Sequence, residues 1–174
     1  MEEISLSEKG RLRPVNKEDL ERILAWRNHP EVRRFMYSQH MITMQEHLRW
    51  YESLQNNSFK RAFVFELAGV PSGFVSFSLA TGGHVADWGF YVAPGSSKGT
   101  GGKLGRTALQ YAFTVMQLHK VCGQALYHNE RSIRFHERLG FLREGTLRDQ
   151  YFDGSCYHSI VCFGLLAREW QSRS

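Results

Sequence analysis

The spacing of hydrophobic residues changes once, about a third of the way along the chain. Before that point apolar residues recur every three or four positions, as in "KEDLERILAWR" and "EHLRWYESL", which indicates amphipathic helices. Asn16 with Asp19, and Thr43 with Glu46, form N-cap patterns ahead of two of these helices. The pattern therefore predicts a mostly helical segment over residues 1–60, with a short strand at "RLRPV".

Beyond this segment the pattern is typical of strands. "AFVFEL", "GFVSFSL" and "ADWGFYV" are rich in aromatic and branched residues and are separated by turn residues. A helix, the strand "KVCGQAL" and a short helix ending at Gly140 follow. Asp153-Gly154 then predicts a final hairpin with a two-residue turn. The predicted fold class is α/β, a mixed, mostly antiparallel twisted sheet of about seven strands with helices on both faces.

Composition and charge limit the classes of partner. The 174 residues are 42% hydrophobic and carry a net charge of +5, which indicates one globular domain that favours an anionic ligand. No apolar run approaches the about 20 residues that cross a bilayer, and no secretory segment is apparent. Cys122, Cys156 and Cys162 have no CxxC spacing. We therefore expect reduced cysteines, a cytoplasmic location, no membrane partner and no metal site.

A glycine-rich turn, "VAPGSSKGTGGKLGR", lies between a strand and a helix. It is neither a P-loop nor a dinucleotide fingerprint, because Ser97 and Leu104 stand where those patterns need other residues. The unpaired N–H groups at a helix start still favour an anion, and Lys98 and Lys103 add positive charge. The turn therefore predicts a phosphate-binding site, with a flexible surface turn as the alternative.

Two neighbouring stretches give the glycine turn a family context. "FYVAP" precedes it and "HNERSIRFHERLGF" follows it. In this order the three motifs resemble the GCN5-related N-acetyltransferase (GNAT) superfamily, with its V-x-P strand end, [QR]-x-x-G-x-[GA] loop and N-x-x-[SA]-x-x-[FL]-[YH] segment. The resemblance covers residues 62–166. The loop departs from the pattern, since Ser96 or Ser97 stands where Arg or Gln is usual.

The resemblance implies a GNAT fold and an enzyme that transfers an acetyl group from acetyl-CoA directly to an amine in a ternary complex. It divides a single domain, 1–174, into an acceptor side of about 1–60 and an acetyl-CoA-binding core of about 62–166. The residues that it assigns to coenzyme binding are Phe90, Tyr91, Val92, Lys98, Gly99, Thr100, Gly101, Gly102, Lys103, Asn129, Ser132 and Phe135.

Two catalytic roles follow from the same resemblance. His136 stands where the family usually has the tyrosine that protonates the leaving thiolate, and a histidine can donate a proton near neutral pH. The alternative is a histidine that simply faces solvent on an amphipathic helix. Ser76 would hold a water that accepts the proton of the amine, or is an ordinary strand serine.

The acceptor side carries a further likeness. "WRNHPEVRRFMYSQHMITMQEHL" resembles the N-acetyltransferases of the pseudaminic-acid pathway, which acetylate the 4-amino group of a UDP-linked 4-amino-4,6-dideoxy sugar in a route to flagellin glycosylation. Arginines can meet the phosphates, and aromatic and methionine side chains can carry a base. The residues assigned to substrate binding are Arg27, Asn28, Met36, Tyr37 and His47.

The sequence is also compatible with other functions. A protein N-terminal or ribosomal-protein acetyltransferase, or one for polyamines or amino acids, shares the coenzyme motifs. A non-catalytic regulator that binds CoA or a nucleotide keeps the fold without turnover. No RNA-binding signature accompanies the positive charge, so we expect no nucleic-acid partner. The oligomeric state is open, with a homodimer among the options.

Overall fold

A computed structural model describes residues 10–172 and has a seven-stranded sheet at its centre, with strand order β1-β2-β3-β4-β5-β7-β6. The β4–β5 pair is parallel, and the other neighbours are antiparallel. The strands are β1 Gly10–Pro14, β2 Lys60–Leu67, β3 Val70–Leu79, β4 Val85–Val92, β5 Lys120–Leu126, β6 Leu142–Phe152 and β7 Tyr157–Leu166. This sheet confirms the predicted fold class.

Helices cover the sheet on both sides. A single 3₁₀ turn, Lys17–Asp19, leads into α1. The helices are α1 Leu20–Asn28, α2 Pro30–Arg33, α3 Met44–Gln55, α4 Thr100–Thr114, α5 Glu130–Leu139 and α6 Ala167–Gln171. The capping box predicted for α3 is present, with Glu46 N donating to Thr43 Oγ1 at 3.2 Å and Thr43 N donating to Glu46 Oε2 at 2.7 Å. Gly140 ends α5 in the left-handed region, as predicted.

The two faces of the sheet have different interiors. The face under α4 and α5 holds the main core, which includes Phe65, Val75, Phe77 and Trp88. The face under α1 and α3 holds a smaller cluster: Val15, Leu20, Ile23, Val64 and Phe74. Because strand side chains alternate between faces, Ser76 lies on the second, less filled face. We call this face the acceptor face, because the helices of the predicted acceptor segment cover it.

Two features at the C-terminal end differ from the sequence analysis. The β6–β7 turn has four residues instead of two, because Asp153 N donates to Cys156 O at 3.1 Å while the Asp153 carboxylate accepts from Ser155 N and Cys156 N. The Asp-Gly pair therefore forms only the first half of the turn. Helix α6 was not predicted, and Glu169 caps its start by accepting from Leu166 N at 2.9 Å.

Candidate active site

The sheet opens between β4 and β5. The two strands pair only over Val85–Asp87 and Lys120–Cys122, while β4 continues to Val92 with β3 as its partner. From Gly89 onward, the β5-facing edge of β4 therefore has no pairing strand. A wedge-shaped gap in the middle of a sheet admits an extended ligand that hydrogen-bonds along the exposed strand edge.

The alternation of the β3–β4 pairing shows which backbone groups face this gap. In an antiparallel pair, successive residues point their N–H and C=O alternately toward and away from the partner strand. Ala93 N donates to Ser72 O at 2.9 Å, and the register between β3 and β4 is unbroken. Odd-numbered residues of β4 therefore bond to β3, and Phe90 and Val92 direct their backbone groups into the gap. These two N–H groups are the donors available to a developing oxyanion.

The glycine turn ends beside the open end of β4. Gly99 is the N-cap of α4 with a φ of +94°, a conformation that side-chain-bearing residues rarely adopt. A Cβ on Gly101 would lie 3.8 Å from Val92 Cγ1, which brings the helix start close to the strand. Thr100 N donates to Ser97 O at 3.2 Å. The site therefore places a helix N-terminus at the mouth of the gap.

This helix N-terminus has the features of an anion site. Gly101 and Gly102 occupy the first turn of α4, where helix geometry leaves N–H groups unpaired. Lys98 is exposed and Lys103 half-buried on either side of them. Arg106, which the sequence analysis did not single out, folds back so that its Nη1 would lie 3.6 Å from a Cβ on Gly102. Residue types and geometry together fit a diphosphate.

Helix α5 forms the opposite wall of the gap. Asn129 caps it, with Oδ1 accepting from Ser132 N at 3.1 Å, so one end of this amide is already in use. The Phe135 ring packs on the Phe90 ring with centroids 4.7 Å apart, which provides an apolar surface below the exposed edge of β4. The predicted coenzyme residues of β4, α4 and α5 are thus brought together.

His136 is enclosed in the core instead of facing the gap. It is 1% exposed, and its ring stacks on Phe163 at 4.8 Å. Because the Trp88 indole can only donate, Nε2 accepts from Trp88 Nε1 at 3.1 Å, and Nδ1 donates to Ser132 O at 2.8 Å. Burial lowers the pKa of His136, so the imidazole is neutral.

This arrangement contradicts both readings made from the sequence. The only ring proton of His136 is held by a backbone carbonyl, so the residue has no proton directed at a leaving thiolate. It does not face solvent either. The indole that occupies its other nitrogen lies 48 residues away on β4, which local spacing does not reveal.

On the acceptor face, Arg27 of α1 reaches the open part of β4. Its Nη2 donates to Ser38 O at 2.8 Å, while Nη1 is buried and has no hydrogen-bond partner within residues 10–172. Burial lowers the pKa of Arg27, and the guanidinium interacts electrostatically with Tyr91, whose own pKa is raised by burial. A guanidinium with one buried nitrogen that the described residues leave unsatisfied favours an anionic or carbonyl-bearing ligand.

Tyr37 joins the acceptor segment to the far side of the gap. Its hydroxyl donates to Gln124 Oε1 of β5 at 3.3 Å, and its carbonyl accepts from the Tyr151 hydroxyl of β6 at 2.5 Å. The two tyrosine rings lie 5.0 Å apart. Gln124 and Tyr151 were missed from the sequence; the alternation along β5 places Gln124 on the acceptor face and could have identified it.

The remaining predicted substrate residues have different surroundings. Asn28 uses both ends of its amide to hold the chain at Ile42, with bonds of 2.8 Å in each direction, so it acts as a clamp within the acceptor segment. His47 is 5% exposed and stacks on Trp50, and its Nε2 has no partner in the described range 10–172. Met36 is half-buried in the turn after α2. The structure does not bring Asn28 to an open surface.

Ser76 lies beside the gap on the acceptor face. It is half-buried and opposite Gly89 in the β3–β4 register. A Cβ on Gly89 would be 3.2 Å from Ser76 Oγ, so the glycine leaves space next to the hydroxyl.

Comparison with known proteins decides the family. The model of the acetyltransferase (GNAT) domain matches residues 11–142, which is most of the chain. The chain belongs to the GNAT acetyltransferase family. It is therefore an N-acetyltransferase.

Curated GNAT relatives differ in their acceptors. The spermidine N(1)-acetyltransferase of Escherichia coli K12 is 28% identical over 155 residues, which cover 87% of this chain and 82% of the relative. The acetyltransferase PseH of Campylobacter jejuni is 26% identical over 142 residues, which cover 79% and 86%. A putative ribosomal N-acetyltransferase of Bacillus subtilis, YdaF, is 39% identical over 66 residues, which cover 38% and 36%.

Solved structures agree on the GNAT fold. The spermidine N-acetyltransferase of Vibrio cholerae in complex with CoA and spermine superposes with a TM-score of 0.84 at 22% identity, covering 94% of this chain and 98% of that one. Among the described helices, none is long and apolar enough to cross a membrane.

Proposed function

We propose that this GNAT enzyme acetylates the 4-amino group of a UDP-linked 4-amino-4,6-dideoxy sugar. The motif likeness to the pseudaminic-acid pathway enzymes and the similarity to PseH along 79% of the chain support this acceptor class. The observation that carries the proposal is Arg27, because its buried Nη1 lacks a partner in residues 10–172 beside the exposed end of β4. A nucleotide diphosphate supplies the anionic oxygens that such a guanidinium binds.

The charge of the acceptor segment favours this acceptor over a polyamine. Residues 27–43 contain three arginines and a single acidic residue, Glu31. Spermidine is a polycation at neutral pH, so a basic segment repels it and attracts a diphosphate. The relatives named for spermidine remain the basis of the alternative, in which acidic groups elsewhere would bind the polyamine.

The chemistry follows from the groups around the gap. The acceptor amine must lose its proton before attack, because an alkyl ammonium has a pKa near about 10. Its lone pair then attacks the thioester carbonyl, and the developing oxyanion is stabilised by the N–H groups of Phe90 and Val92. The nitrogen of the tetrahedral intermediate then loses a proton to solvent water, and the C–S bond breaks to give an amide and a thiolate. Since His136 is committed to the core, we infer that solvent water protonates the thiolate, and that Ser76 holds the water that takes the amine proton.

A release assay for free CoA thiol tests the acceptor. We expect turnover with acetyl-CoA and the UDP-4-amino sugar, and little with spermidine or an N-terminal peptide. Arg27→Ala should raise KM for the sugar nucleotide by about 10- to 100-fold, as expected for losing a charge-assisted contact. Arg49→Ala, an exposed arginine on α3, is the matched control. Turnover of spermidine alone would overturn the proposal and leave the acetyltransferase assignment intact.

A further inference from the structure

Three side chains of different chemistry meet at the tip of the β6–β7 hairpin. Asp153 Oδ2 lies 2.6 Å from His158 Nε2, Cys156 Sγ lies 3.3 Å from the same nitrogen, and Sγ lies 3.6 Å from Oδ2. These carboxylate, thiol and imidazole groups converge within residues 153–158. No role in acetyl transfer accounts for them.

Hydrogen bonds within the turn hold one carboxylate oxygen of Asp153, Oδ1, and leave the other available for an ion. Asp153 Oδ1 accepts from Ser155 N at 2.8 Å, Ser155 Oγ at 2.8 Å and Cys156 N at 2.9 Å. These bonds hold the carboxylate plane and leave Oδ2 to face His158 and Cys156. Such second-layer bonding is how proteins orient a carboxylate toward an ion.

The imidazole is fixed from outside the hairpin. Tyr127 N donates to Ser159 O at 2.9 Å, which ties the end of β5 to β7. His128 then packs against the His158 ring, with centroids 4.9 Å apart, and the Tyr151 ring lies 6.2 Å from it. The Nε2 edge therefore stays directed at Cys156 and Asp153.

The geometry differs from that of a catalytic triad. In a Cys-His-Asp triad the thiol and the carboxylate bind opposite nitrogens of the imidazole, so that one orients the ring while the other exchanges a proton. Here both groups approach Nε2. Nε2 carries a single N–H, which points in one direction and cannot bond well to both partners, whereas a single ion placed between the three atoms can contact all of them.

We propose that Asp153 Oδ2, Cys156 Sγ and His158 Nε2 form a binding site for one divalent cation of the zinc class, with water as the fourth ligand. Zinc prefers these donors at about 2.0–2.3 Å, and in a tetrahedral site its ligand atoms are about 3.3–3.6 Å apart. The two Sγ distances, 3.3 and 3.6 Å, already have these values. Only the contact of 2.6 Å between Nε2 and Oδ2 must widen, by less than about 1 Å.

Binding has a defined proton balance. The Cys156 thiol releases one proton to solvent and binds as thiolate, while the proton on His158 Nε2 moves to Nδ1 through solvent to free the lone pair. The carboxylate binds as it is. The hairpin also contacts the acceptor segment, because the Tyr151 hydroxyl donates to Tyr37 O at 2.5 Å, so an ion here would stiffen one wall of the active site.

Cobalt titration of the full, metal-free chain tests the site. Co²⁺ bound by a thiolate gives a near-ultraviolet charge-transfer band, and we expect it to saturate at one ion per chain and to disappear when Zn²⁺ is added. Cys156→Ser should abolish the band. Cys122→Ser and Cys162→Ser should keep it, because these cysteines lie within β5 and β7.

A second pair of variants separates loss of metal binding from loss of folding. Asp153→Asn and His158→Gln should each weaken cobalt affinity by about 10-fold or more, with an unchanged circular dichroism spectrum. Absence of a thiolate band in the unmodified chain would overturn the proposal. A band that survives Cys156→Ser, or a stoichiometry of one ion per two chains, would do the same.

Discussion

The two faces of the central sheet differ in the kind of polar group that they expose. On the proposed coenzyme side, glycines and backbone N–H groups of α4 and β4 form most of the surface, and Lys98, Lys103 and Arg106 lie around the helix start. On the acceptor face, the polar groups are side chains drawn from α1, β3, β5 and β6, and Arg27 still has a buried nitrogen without a partner among residues 10–172. Acetyl-CoA is the ligand that GNAT enzymes have in common, whereas the acceptor differs among the relatives.

This difference indicates which part of the site can be common to the whole family. A backbone surface recognises a diphosphate and a thioester in any member of the family, because N–H groups do not depend on residue type. Recognition of the amine needs side chains whose positions depend on the packing of several elements. Substitutions on the two faces should therefore affect different kinetic constants.

The largest expected effect is at Gly99. A valine there would strain the left-handed N-cap and cover the first N–H groups of α4. We expect KM for acetyl-CoA to rise on the order of 100-fold, which corresponds to about 2.7 kcal/mol, with little change in KM for the amine. Gly69→Val, at a turn with a φ of +76°, controls for strain alone. Equal effects of the two variants would contradict a phosphate site at α4.

Gly123→Ala should act on stability. A Cβ at this position would clash with the imidazole of His136 and lie 2.9 Å from Trp88 Nε1. Because that pair is enclosed in the core, we expect a loss of about 1–3 kcal/mol in the free energy of unfolding, measured by urea denaturation. Gly145→Ala has open space around it and should change little. An unaffected Gly123→Ala variant would show that the core around His136 is loosely packed.

Ser76→Ala tests the proposed role of the acceptor face in proton transfer. If the hydroxyl positions the water that accepts the amine proton, kcat/KM should fall by up to about 10-fold, mostly at low pH where the amine is charged. Ser78→Ala, on the same face two residues along β3, is exposed and provides the control. If both variants have the same pH–rate profile, Ser76 is an ordinary strand serine with no role in proton transfer.

The smallest expected effect on turnover belongs to His136. With both ring nitrogens bonded in the core, His136→Phe should leave kcat per folded molecule at neutral pH nearly unchanged. A drop of about 100-fold in a folded variant would instead restore the general-acid role.

Stability should respond to pH through the same residue. Burial lowers the pKa of His136 in the folded state, so the unfolded chain, with a pKa near about 6.5, binds the proton first as pH falls. The stability that neutral His136 contributes is present above about pH 6.5 and is lost below it. His136→Phe should make this acid limb shallower in thermal melts, while His84→Gln, an exposed histidine, should not.

Much of the fold was predictable, and a coenzyme side could be proposed, because the information for both is local. The change from helical to strand spacing, the capping box at Thr43 and Glu46, and the stop at Gly140 each involve residues close in sequence. The three GNAT motifs also occupy short segments, and their order along the chain matches the family without reference to any contact. The prediction of a two-residue turn at Asp153 was wrong for the opposite reason. The hydrogen bond from Asp153 N to Cys156 O, which closes a four-residue turn, outweighed the preference of the Asp-Gly dipeptide.

Local sequence was enough to predict most of the elements, the glycine turn that starts α4, and the GNAT family, since periodicity, turn chemistry and motif order all act over a few residues. Tertiary packing was needed to show that His136 pairs with Trp88, that Tyr37 meets Tyr151 across 114 positions, and that a carboxylate, a thiol and an imidazole converge at the last hairpin. Those outcomes depend on strand register and on which strands become neighbours in the sheet. Such long-range pairings are fixed only when the whole core is formed.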